Sequence, residues 1–309
     1  MSEITLPTAE FAHAGLRLRV ASPPPDLAPF ISAYYRTEVD TGVIAEDWLP
    51  PEEGNLRTGI ADVYDAAIGS APLGRAPVAV LSGPTNRVTQ LRIGGGRFWG
   101  IGLTPAGWAR FIGRPADGMA DRFAGVEECQ LNPSLVRMLD TLRHEIDDMA
   151  EAAALIARTF RPMVAHQPAR ERPIRAIHLS IVSDEALSFS IAELAERAGM
   201  TERTFVRFCK RHFGFAPGVL LRRQRFLRSL GKYMLDPSLR WINSLDPHYC
   251  DQAQFIRDFR AIMQMTPGEY AALPHPIVTA AVSVTNAGSG VAMQALFHPE
   301  RRRESETGL

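Results

Sequence analysis

Hydrophobic positions follow two different spacings along the chain, and the change between them divides it into two parts. Between residues 27 and 102, short apolar runs such as residues 31–35 and 88–93 are separated by Gly and Pro. Short apolar runs between turn residues are typical of β-strands. This part of the chain therefore predicts a β-rich domain, in which residues 94–96, all glycine, form a hairpin turn.

Helical spacing begins near residue 104 and dominates the second half of the chain. Thr104-Pro105 and Asn132-Pro133 each place a capping side chain before a proline, which predicts helix starts. The second of these helices carries an apolar stripe, which predicts either core or a dimer seam: Leu135, Met138, Leu139 and Leu142. A further helix is expected over residues 148–160.

A helix-turn-helix is predicted between residues 190 and 214. Ser190 and Glu193 form a capping box at the start of a short helix. Gly199 is suited to the turn because glycine adopts a left-handed backbone without steric cost. Thr201 is a suitable N-cap for the second helix. This order of elements is the one that places a helix in the major groove of DNA.

The second helix of this unit has two distinct faces at helical spacing. Its inner face carries Phe205, Phe208, Cys209 and His212, and its outer face carries Arg203, Val206, Arg207 and Lys210. An Arg fork can bind guanine O6 and N7 together, whereas Lys210 and Arg211 suit phosphates. The alternative is an ordinary amphipathic helix with solvated arginines. Arg is the usual basic residue throughout the chain, at 32 of 34 positions, so an Arg-rich helix alone does not indicate DNA binding.

A second, weaker unit follows a long helix that begins at Ala216-Pro217 and ends at Leu235. Asp251 is expected to cap its recognition helix, with Phe255, Phe259 and Ile262 inward and Gln252, Gln254 and Arg257 outward. Pro247 should end the preceding helix because it lacks an amide donor. This unit is therefore expected to bind DNA weakly or mainly to position the first unit.

Charge separates the parts of the chain although the net charge is zero. Residues 170–232 carry 13 Arg and Lys against 6 Asp and Glu, whereas residues 1–169 carry 15 against 20. Positive charge is thus concentrated around the first unit, as phosphate binding requires. A solvated helical face would explain the same asymmetry.

Residues 173–274 resemble the DNA-binding domain of the AraC/XylS family of transcription regulators. The matching residues include Ile191–Ala195, Met200–Phe205, Arg207, Lys210, Gly214, Pro217, Arg225, Tyr249, Asp251, Gln252, Phe255, Arg257, Phe259, Arg260, Met265–Pro267 and Tyr270. The resemblance implies base-reading roles for Arg203, Val206, Arg207, Gln252, Gln254 and Arg257, and Thr204 lies on the same helix. Cys209 stands where the family usually has Phe, and Asp246-Pro247-His248 replaces the expected glycine turn.

The expected architecture is α+β. A β-rich N-terminal domain with flanking helices precedes an all-α domain of two helix-turn-helix units joined by a long helix. The expected boundaries are a sensor or dimerisation domain at residues 1–165, a linker at 166–173, a DNA-binding domain at 174–274 and a loosely ordered tail at 275–309. The sequence contains no uninterrupted run of about 18 apolar residues, so no membrane span is expected. No secretion signal is recognised either, and the three separated cysteines fit a reducing cytoplasm.

The N-terminal half contains no recognisable catalytic motif. Its first 160 residues hold only His13 and His144, far apart, so we expect neither a metal site nor a cofactor. An apolar pocket with polar anchors could instead be formed by Trp48, Asn55, Arg57, Trp99 and Trp108, although each aromatic residue would also suit a core. Part of this half, around residues 50–57, 82–84 and 99–108, resembles the sensor half of uncharacterised AraC/XylS-type regulators.

The expected function is that of a cytoplasmic, sequence-specific transcription regulator of the AraC type. Double-stranded DNA is its expected partner, together with RNA polymerase, a second copy of the chain and a small-molecule effector. Two alternatives remain open for the N-terminal half. One is a ligand-free dimerisation and protein-contact module, and the other is a small enzyme domain fused to the DNA-binding domain.

Overall fold

The computed structural model describes residues 8–164, 171–183, 185–236 and 241–284. Its strands are β1 (Thr8–His13), β2 (Leu16–Ala21), β3 (Ile31–Leu49), β4 (Gly54–Ile68), β5 (Gly74–Arg75), β6 (Ala79–Ser82), β7 (Thr89–Leu103) and β8 (Phe123–Gly125). They form one sheet in the order β1-β2-β3-β7-β4-β6-β8, with β5 pairing with β4. The prediction of a β-rich N-terminal domain is therefore confirmed.

The three glycines at residues 94–96 lie inside β7, so the prediction of a hairpin turn there is wrong. Strand β7 pairs with both β3 and β4, and its register with β3 shifts between Val39 and Ile44. Gly95 has a φ of 54°. A Cβ atom on Gly96 would lie 2.1 Å from the Ile60 carbonyl oxygen. Glycine is required here because the neighbouring strands approach closely at an irregularity of the sheet.

Eleven helices are found among the described residues. They are α1 (Pro105–Gly107), α2 (Pro133–His144), α3 (Met149–Val164), α4 (Glu171–Val182), α5 (Ile191–Arg197), α6 (Glu202–Phe213), α7 (Pro217–Leu235), α8 (Trp241–Ser244), α9 (Gln252–Met263), α10 (Pro267–Ala271) and α11 (Pro276–Val284). A π-helical turn, Trp108–Ile112, continues α1. Thr104 and Asn132 accept the predicted capping hydrogen bonds. Sheet and helices together confirm the α+β class.

The apolar stripe of α2 belongs to the core. Leu135, Met138, Leu139 and Leu142 are buried, and they share one cluster with Trp99 of β7 and residues of α3. Of the two alternatives for this stripe, a core or a dimer seam, the structure therefore favours the core.

The sheet domain and the first helix-turn-helix unit share a hydrophobic core. One cluster contains Trp99 and Leu103 of β7 together with Ile174 of α4, Phe205 of α6 and Leu220 of α7. The predicted linker overlaps α4 at residues 171–173, because a proline is tolerated in the first turn of a helix. Residues 166–170 lie outside the described part of the chain. The two expected domains are thus packed against each other.

The C-terminal segment returns to the sheet. In place of the loosely ordered tail expected from residue 275, residues 276–284 form α11, in which Val278, Ala280, Ala281, Val282 and Val284 are buried. The segment is ordered because these small apolar side chains fill the space between the sheet and the second unit. Residues 285–309 of the expected tail lie outside the described residues.

Candidate DNA-binding site

The first unit is built as its sequence predicts. Ser190 Oγ accepts a hydrogen bond from Glu193 N at 3.2 Å, and Ser190 N donates to Glu193 Oε2 at 2.7 Å, which completes the capping box of α5. Gly199 has a φ of 66°. Thr201 Oγ1 then caps α6 by accepting from Thr204 N at 3.3 Å. Both helix starts and the turn are therefore determined by local chemistry.

The outer face of α6 presents its basic side chains to solvent. Arg203, Arg207, Lys210 and Arg211 are exposed, and Val206 is partly exposed. Thr204 is also partly exposed, but its Oγ1 lies 3.0 Å from Thr201 Oγ1, so this hydroxyl belongs to the helix cap. An exposed row of Arg and Lys on one face of a helix can reach base edges and phosphates together.

The opposite face of α6 is buried in the shared core. Phe205, Cys209 and Phe213 are buried, and Phe208 lies against the same cluster. Burial raises the pKa of the Cys209 thiol to about 12, so this cysteine is a packing residue and not a reactive group. Burial, followed by the charge of Arg211, lowers the pKa of His212. His212 is therefore neutral at neutral pH.

The second unit makes its turn without glycine. Helix α8 ends at Ser244, before Pro247, and the buried carboxylate of Asp246 then organises the turn. His248 donates to Asp246 Oδ1 from its backbone N at 2.9 Å, and its Nδ1 lies 2.8 Å from the same oxygen. Asp246 N donates to Ser229 Oγ of α7 at 2.8 Å. The side chain of Asp246 thus replaces the glycine turn, as Asx turns do.

Helix α9 begins at the predicted cap, since Asp251 Oδ1 accepts from Gln254 N at 2.6 Å. Gln252 and Arg257 are exposed on its outer face. Gln254 is partly buried, and its Oε1 accepts from Cys250 N at 3.0 Å. Reading adenine requires both the oxygen and the nitrogen of a Gln amide. In this arrangement, therefore, Gln254 supports the turn.

Two arginines of α7 bind acidic residues of the second unit, and the sequence alone does not indicate these ion pairs. Arg225 Nη2 donates to Asp258 Oδ2 of α9 at 2.9 Å and its guanidinium lies 4.4 Å from the centre of the Tyr249 ring. Arg228 Nη1 lies 3.7 Å from Asp246 Oδ2. The Asp-Pro-His sequence is a turn signal that could have indicated the role of Asp246.

Both units contact the sheet domain through polar groups. In the first half of the helical domain, His178 Nε2 of α4 lies 2.6 Å from Glu53 Oε1, and Arg223 Nη1 of α7 donates to the Thr85 carbonyl at 3.0 Å. In the second unit, the Ile262 carbonyl of α9 accepts from Val88 N at 2.9 Å. Each unit is therefore attached to the sheet domain by polar contacts of its own, two of which are made by the connection between β6 and β7.

Two of the five residues expected to bind a ligand lie close together. Arg57 donates to Tyr35 Oη at 2.8 Å and to Ser82 Oγ at 3.2 Å, and it also contacts the Glu52 carboxylate. Tyr35 Oη donates to Asn55 Oδ1 at 3.4 Å. A small cavity of about 30 Å³ beside this cluster is lined by Arg57, Glu52 and Ser82 together with apolar side chains. Arg57 is the only one of the five that lines it.

The three tryptophans lie elsewhere, so the structure does not bring the five residues into one pocket. Trp99 and Trp108 are buried in the shared core, and Trp108 Nε1 donates to the Arg114 carbonyl at 2.9 Å. Trp48 packs against the core of the second unit. The sequence could not separate these roles because an aromatic side chain suits a core as well as a pocket.

Within residues 8–164, 171–183, 185–236 and 241–284, no three His, Cys, Asp or Glu side chains converge on a metal site. No helix of the same ranges is long and apolar enough to cross a membrane.

Comparisons with known protein families identify both parts of the chain. Residues 194–272 match a helix-turn-helix domain of the AraC type. Residues 19–124 match a domain of unknown function, DUF6597. A comparison with curated proteins finds no match.

Several solved structures are similar to this chain at low sequence identity. A variant of ToxT from Vibrio cholerae without ligand is 9% identical, with 84% of this chain and 97% of that chain covered and a TM-score of 0.41. Wild-type ToxT with bound unsaturated fatty acid is 8% identical, with 84% and 96% covered and a TM-score of 0.38. The AraC-like transcriptional activator CuxR is 13% identical, with 72% and 79% covered and a TM-score of 0.26.

The assignment of the helix-turn-helix domain therefore rests on the match to residues 194–272 and on the capped, exposed recognition helix within them. Residues 194–272 span α6, α7 and α9, with the basic outer face of α6 open to solvent. The chain is a DNA-binding transcription regulator with a helix-turn-helix domain of the AraC type behind an N-terminal domain of unknown function.

Proposed function

We propose that the chain regulates transcription by reading one DNA segment with α6 and a second segment with α9. The observation that carries the proposal is the exposed basic face of α6, whose opposite face is buried in the shared core. Because the helix is held from behind by Phe205, Cys209 and Phe213, its outer side chains can enter a groove without disturbing the fold.

The first recognition helix supplies the stronger contacts. Arg203 and Arg207 are assigned to guanine, and Val206 to an apolar base edge such as the thymine methyl group. Lys210 and Arg211, in the last turn of α6, are assigned to phosphates. Thr204 stands on the same helix and orders its first turn through Thr201.

The second recognition helix supplies fewer contacts. Gln252 and Arg257 are exposed on α9 and are assigned to adenine and guanine respectively. Gln254 is assigned to the turn, since its amide oxygen is occupied by Cys250 N. The acidic surroundings of this unit make its share of the affinity smaller, because phosphates are repelled by Asp and Glu.

We further propose that the N-terminal domain controls DNA binding through a small effector. The buried polar cluster around Arg57 supports this idea, because effector sites place a few polar groups among apolar side chains. Burial raises the pKa of Tyr64, which lines the same cavity, to about 12. Its hydroxyl is therefore protonated at neutral pH and can donate to a ligand. A ligand-free contact module is the alternative.

Three further parts of the proposal rest on the resemblance of residues 173–274 to AraC/XylS-type regulators. They are a homodimer, a contact with RNA polymerase and activation of transcription in the cytoplasm. The α2 stripe offers no support for the dimer, since its four apolar residues lie in the core.

The test is selection of DNA from a random-sequence duplex library at physiological salt. The full chain and an Arg137→Ala control, which changes an exposed residue of α2, are expected to enrich the same motif. A variant with Arg203→Ala and Arg207→Ala should lose that motif because the base contacts of α6 are gone. No enrichment by the full chain, or the same motif in the double variant, would refute the proposal.

The effector is tested separately. A rise in melting temperature with a compound from a library of small polar molecules, lost in Arg57→Gln, would support the sensor because binding to the folded state stabilises it. An undiminished rise in that variant would exclude the Arg57 cavity as the site.

A further inference from the structure

Helix α11 lies between the sheet and the second helix-turn-helix unit. Val278 and Val282, one turn apart, belong to the core that contains Phe255 and Phe259 of α9. On another side of α11, Ala280, Ala281 and Val284 belong to the core formed by the side chains of β2 and neighbouring strands. Residues four apart share a face of a helix, so this short element contacts two cores at once.

The start of α11 is held by a carboxylate from the sheet. Asp47 of β3 is fully buried, and its Oδ2 accepts from Ile277 N and Val278 N, both at 2.8 Å. The first amides of a helix have no partner within the helix and favour a negative charge. Asp47 therefore caps a helix that lies 230 residues further along the chain.

The other oxygen of Asp47 contacts His275, which in turn contacts the helix that follows α9. Asp47 Oδ1 lies 3.0 Å from His275 Nδ1, and His275 Nε2 lies 2.7 Å from the Tyr270 carbonyl oxygen. A carboxylate and a carbonyl oxygen only accept, so a ring nitrogen of His275 that carries a proton can donate to the oxygen beside it. His275 thus lies between the sheet and α10, within hydrogen-bond distance of both.

The connection continues into α9 by ring contacts. The rings of His275 and Tyr270 are stacked with centroids 3.9 Å apart. Tyr270 is fully buried, and its ring centroid lies 5.7 Å from that of Phe259 in α9. The C-terminal end of α9 is held by the sheet domain as well, through Val88 N and the Ile262 carbonyl.

We propose that Asp47 and His275 are positioning residues for the second DNA-reading helix. They act through α10 and α11 to hold α9 at a set orientation relative to the sheet domain, to which α6 is attached independently. The spacing of the two recognition helices is then set by the sheet domain together with α7, which bonds to α9 through Arg225 and Asp258. This inference rests on the proposed reading of two DNA segments.

The test compares binding of the full chain to two duplexes obtained from the selection described above. One duplex keeps both segments, and the other has the second segment replaced. Asp47→Asn preserves shape but places an amide NH₂ among donors, and His275→Phe preserves the ring stack but removes both ring nitrogens. Asp65→Asn is the control, since that carboxylate pairs with Arg92 elsewhere on the sheet.

Both variants are expected to lose about tenfold in affinity for the two-segment duplex, the effect of one good base contact, and to bind the one-segment duplex like wild type. The control should bind both duplexes like wild type. Footprints of Asp47→Asn should lose protection at the second segment alone. A merely structural role would weaken both segments together in proportion to the fall in melting temperature.

Several results would overturn the inference. One is an equal loss of affinity for both duplexes, and another is unchanged affinity of both variants for the two-segment duplex. The third is a wild-type footprint that protects one segment only. The last result would also contradict the proposed reading of a second segment by α9, while DNA reading by α6 would stand. Failure to enrich any sequence would instead refute the proposed function itself.

Discussion

In the first unit the chain reverses at Gly199, which has a φ of 66°, whereas in the second unit it reverses over Asp246, Pro247 and His248 around a buried carboxylate. The first turn needs only a residue that tolerates a left-handed backbone. The second needs Ser229 and Arg228 of α7 to satisfy the polar groups of Asp246. A local pattern is therefore sufficient for the first unit, while the second depends on distant partners.

The same contrast holds for the attachment of each unit to the sheet domain. The first unit continues the hydrophobic core of that domain through Phe205 and Leu220. The second unit has a largely separate core, which reaches the sheet through Leu49, Val88 and α11. The first unit is thus part of the folded sheet domain, and the second is attached by a small number of directed contacts.

The largest expected effect is on stability, and it differs between the turns of the two units. Asp246→Ala should lower the free energy of unfolding by about 3 kcal/mol, because it removes the acceptor of buried donors. Gly199→Ala should cost about 1–2 kcal/mol, which is the strain of a left-handed backbone, since a Cβ there meets nothing within 4 Å. Urea denaturation measures both values, and equal losses would contradict the distinction between the turns.

The next effect compares the two recognition helices. Arg207→Ala should cost about 1–3 kcal/mol at the selected site and relax one base preference. Arg257→Ala should cost less binding free energy, since the second unit has fewer exposed side chains that can reach DNA and is surrounded by acidic residues. Fluorescence anisotropy with matched and single-base-changed duplexes measures both costs. A larger loss for Arg257→Ala would reverse the assigned ranking of the units.

Phosphate binding is expected to be a property of the first unit. Lys210→Ala should weaken binding to all sequences alike and reduce the slope of log K against log salt by about 0.9, the effect of one lost phosphate contact. Titrations at several salt concentrations give this slope. A loss confined to one sequence would show that Lys210 reads a base.

The smallest effect is expected to be the same in both units. Hydrogen bonds from the Ser190 side chain and backbone lower the pKa of Glu193, and those from the Thr266 backbone and side chain lower the pKa of Glu269. Since the folded-state pKa is lowered, each cap stabilises the fold above the ordinary Glu pKa. That contribution disappears as the pH falls through the folded-state value.

Glu193→Gln and Glu269→Gln are the variants that test the two caps. Each should make the melting temperature less dependent on pH in the acid range, by a similar small amount. A clear difference between the two slopes would show that one cap is coupled to the rest of the fold.

The parts of the fold that were predictable are those with local causes. The capping box at Ser190, the turn at Gly199 and the caps at Thr201 and Asp251 all follow from neighbouring residues, and the structure contains each of them. The exposed face of α6 follows from helical spacing in the same way.

The parts that were missed depend on residues far apart in sequence. Asp47 binds the start of α11 across 230 positions, and no local signal indicates that pairing. The glycines of β7 resemble a turn, because their role depends on two neighbouring strands. Trp48, Trp99 and Trp108 suit a ligand pocket and a hydrophobic core equally well, because residue type alone does not distinguish the two.

The central claim, that two units held by one sheet domain read two DNA segments, is tested most directly by hydroxyl-radical footprinting. The full chain would be bound to the DNA that it selects, at physiological salt. The account predicts two protected segments about 10 base pairs apart on one face of the duplex, with the segment under α6 protected more strongly. Protection of a single segment, or two segments on opposite faces, would contradict it.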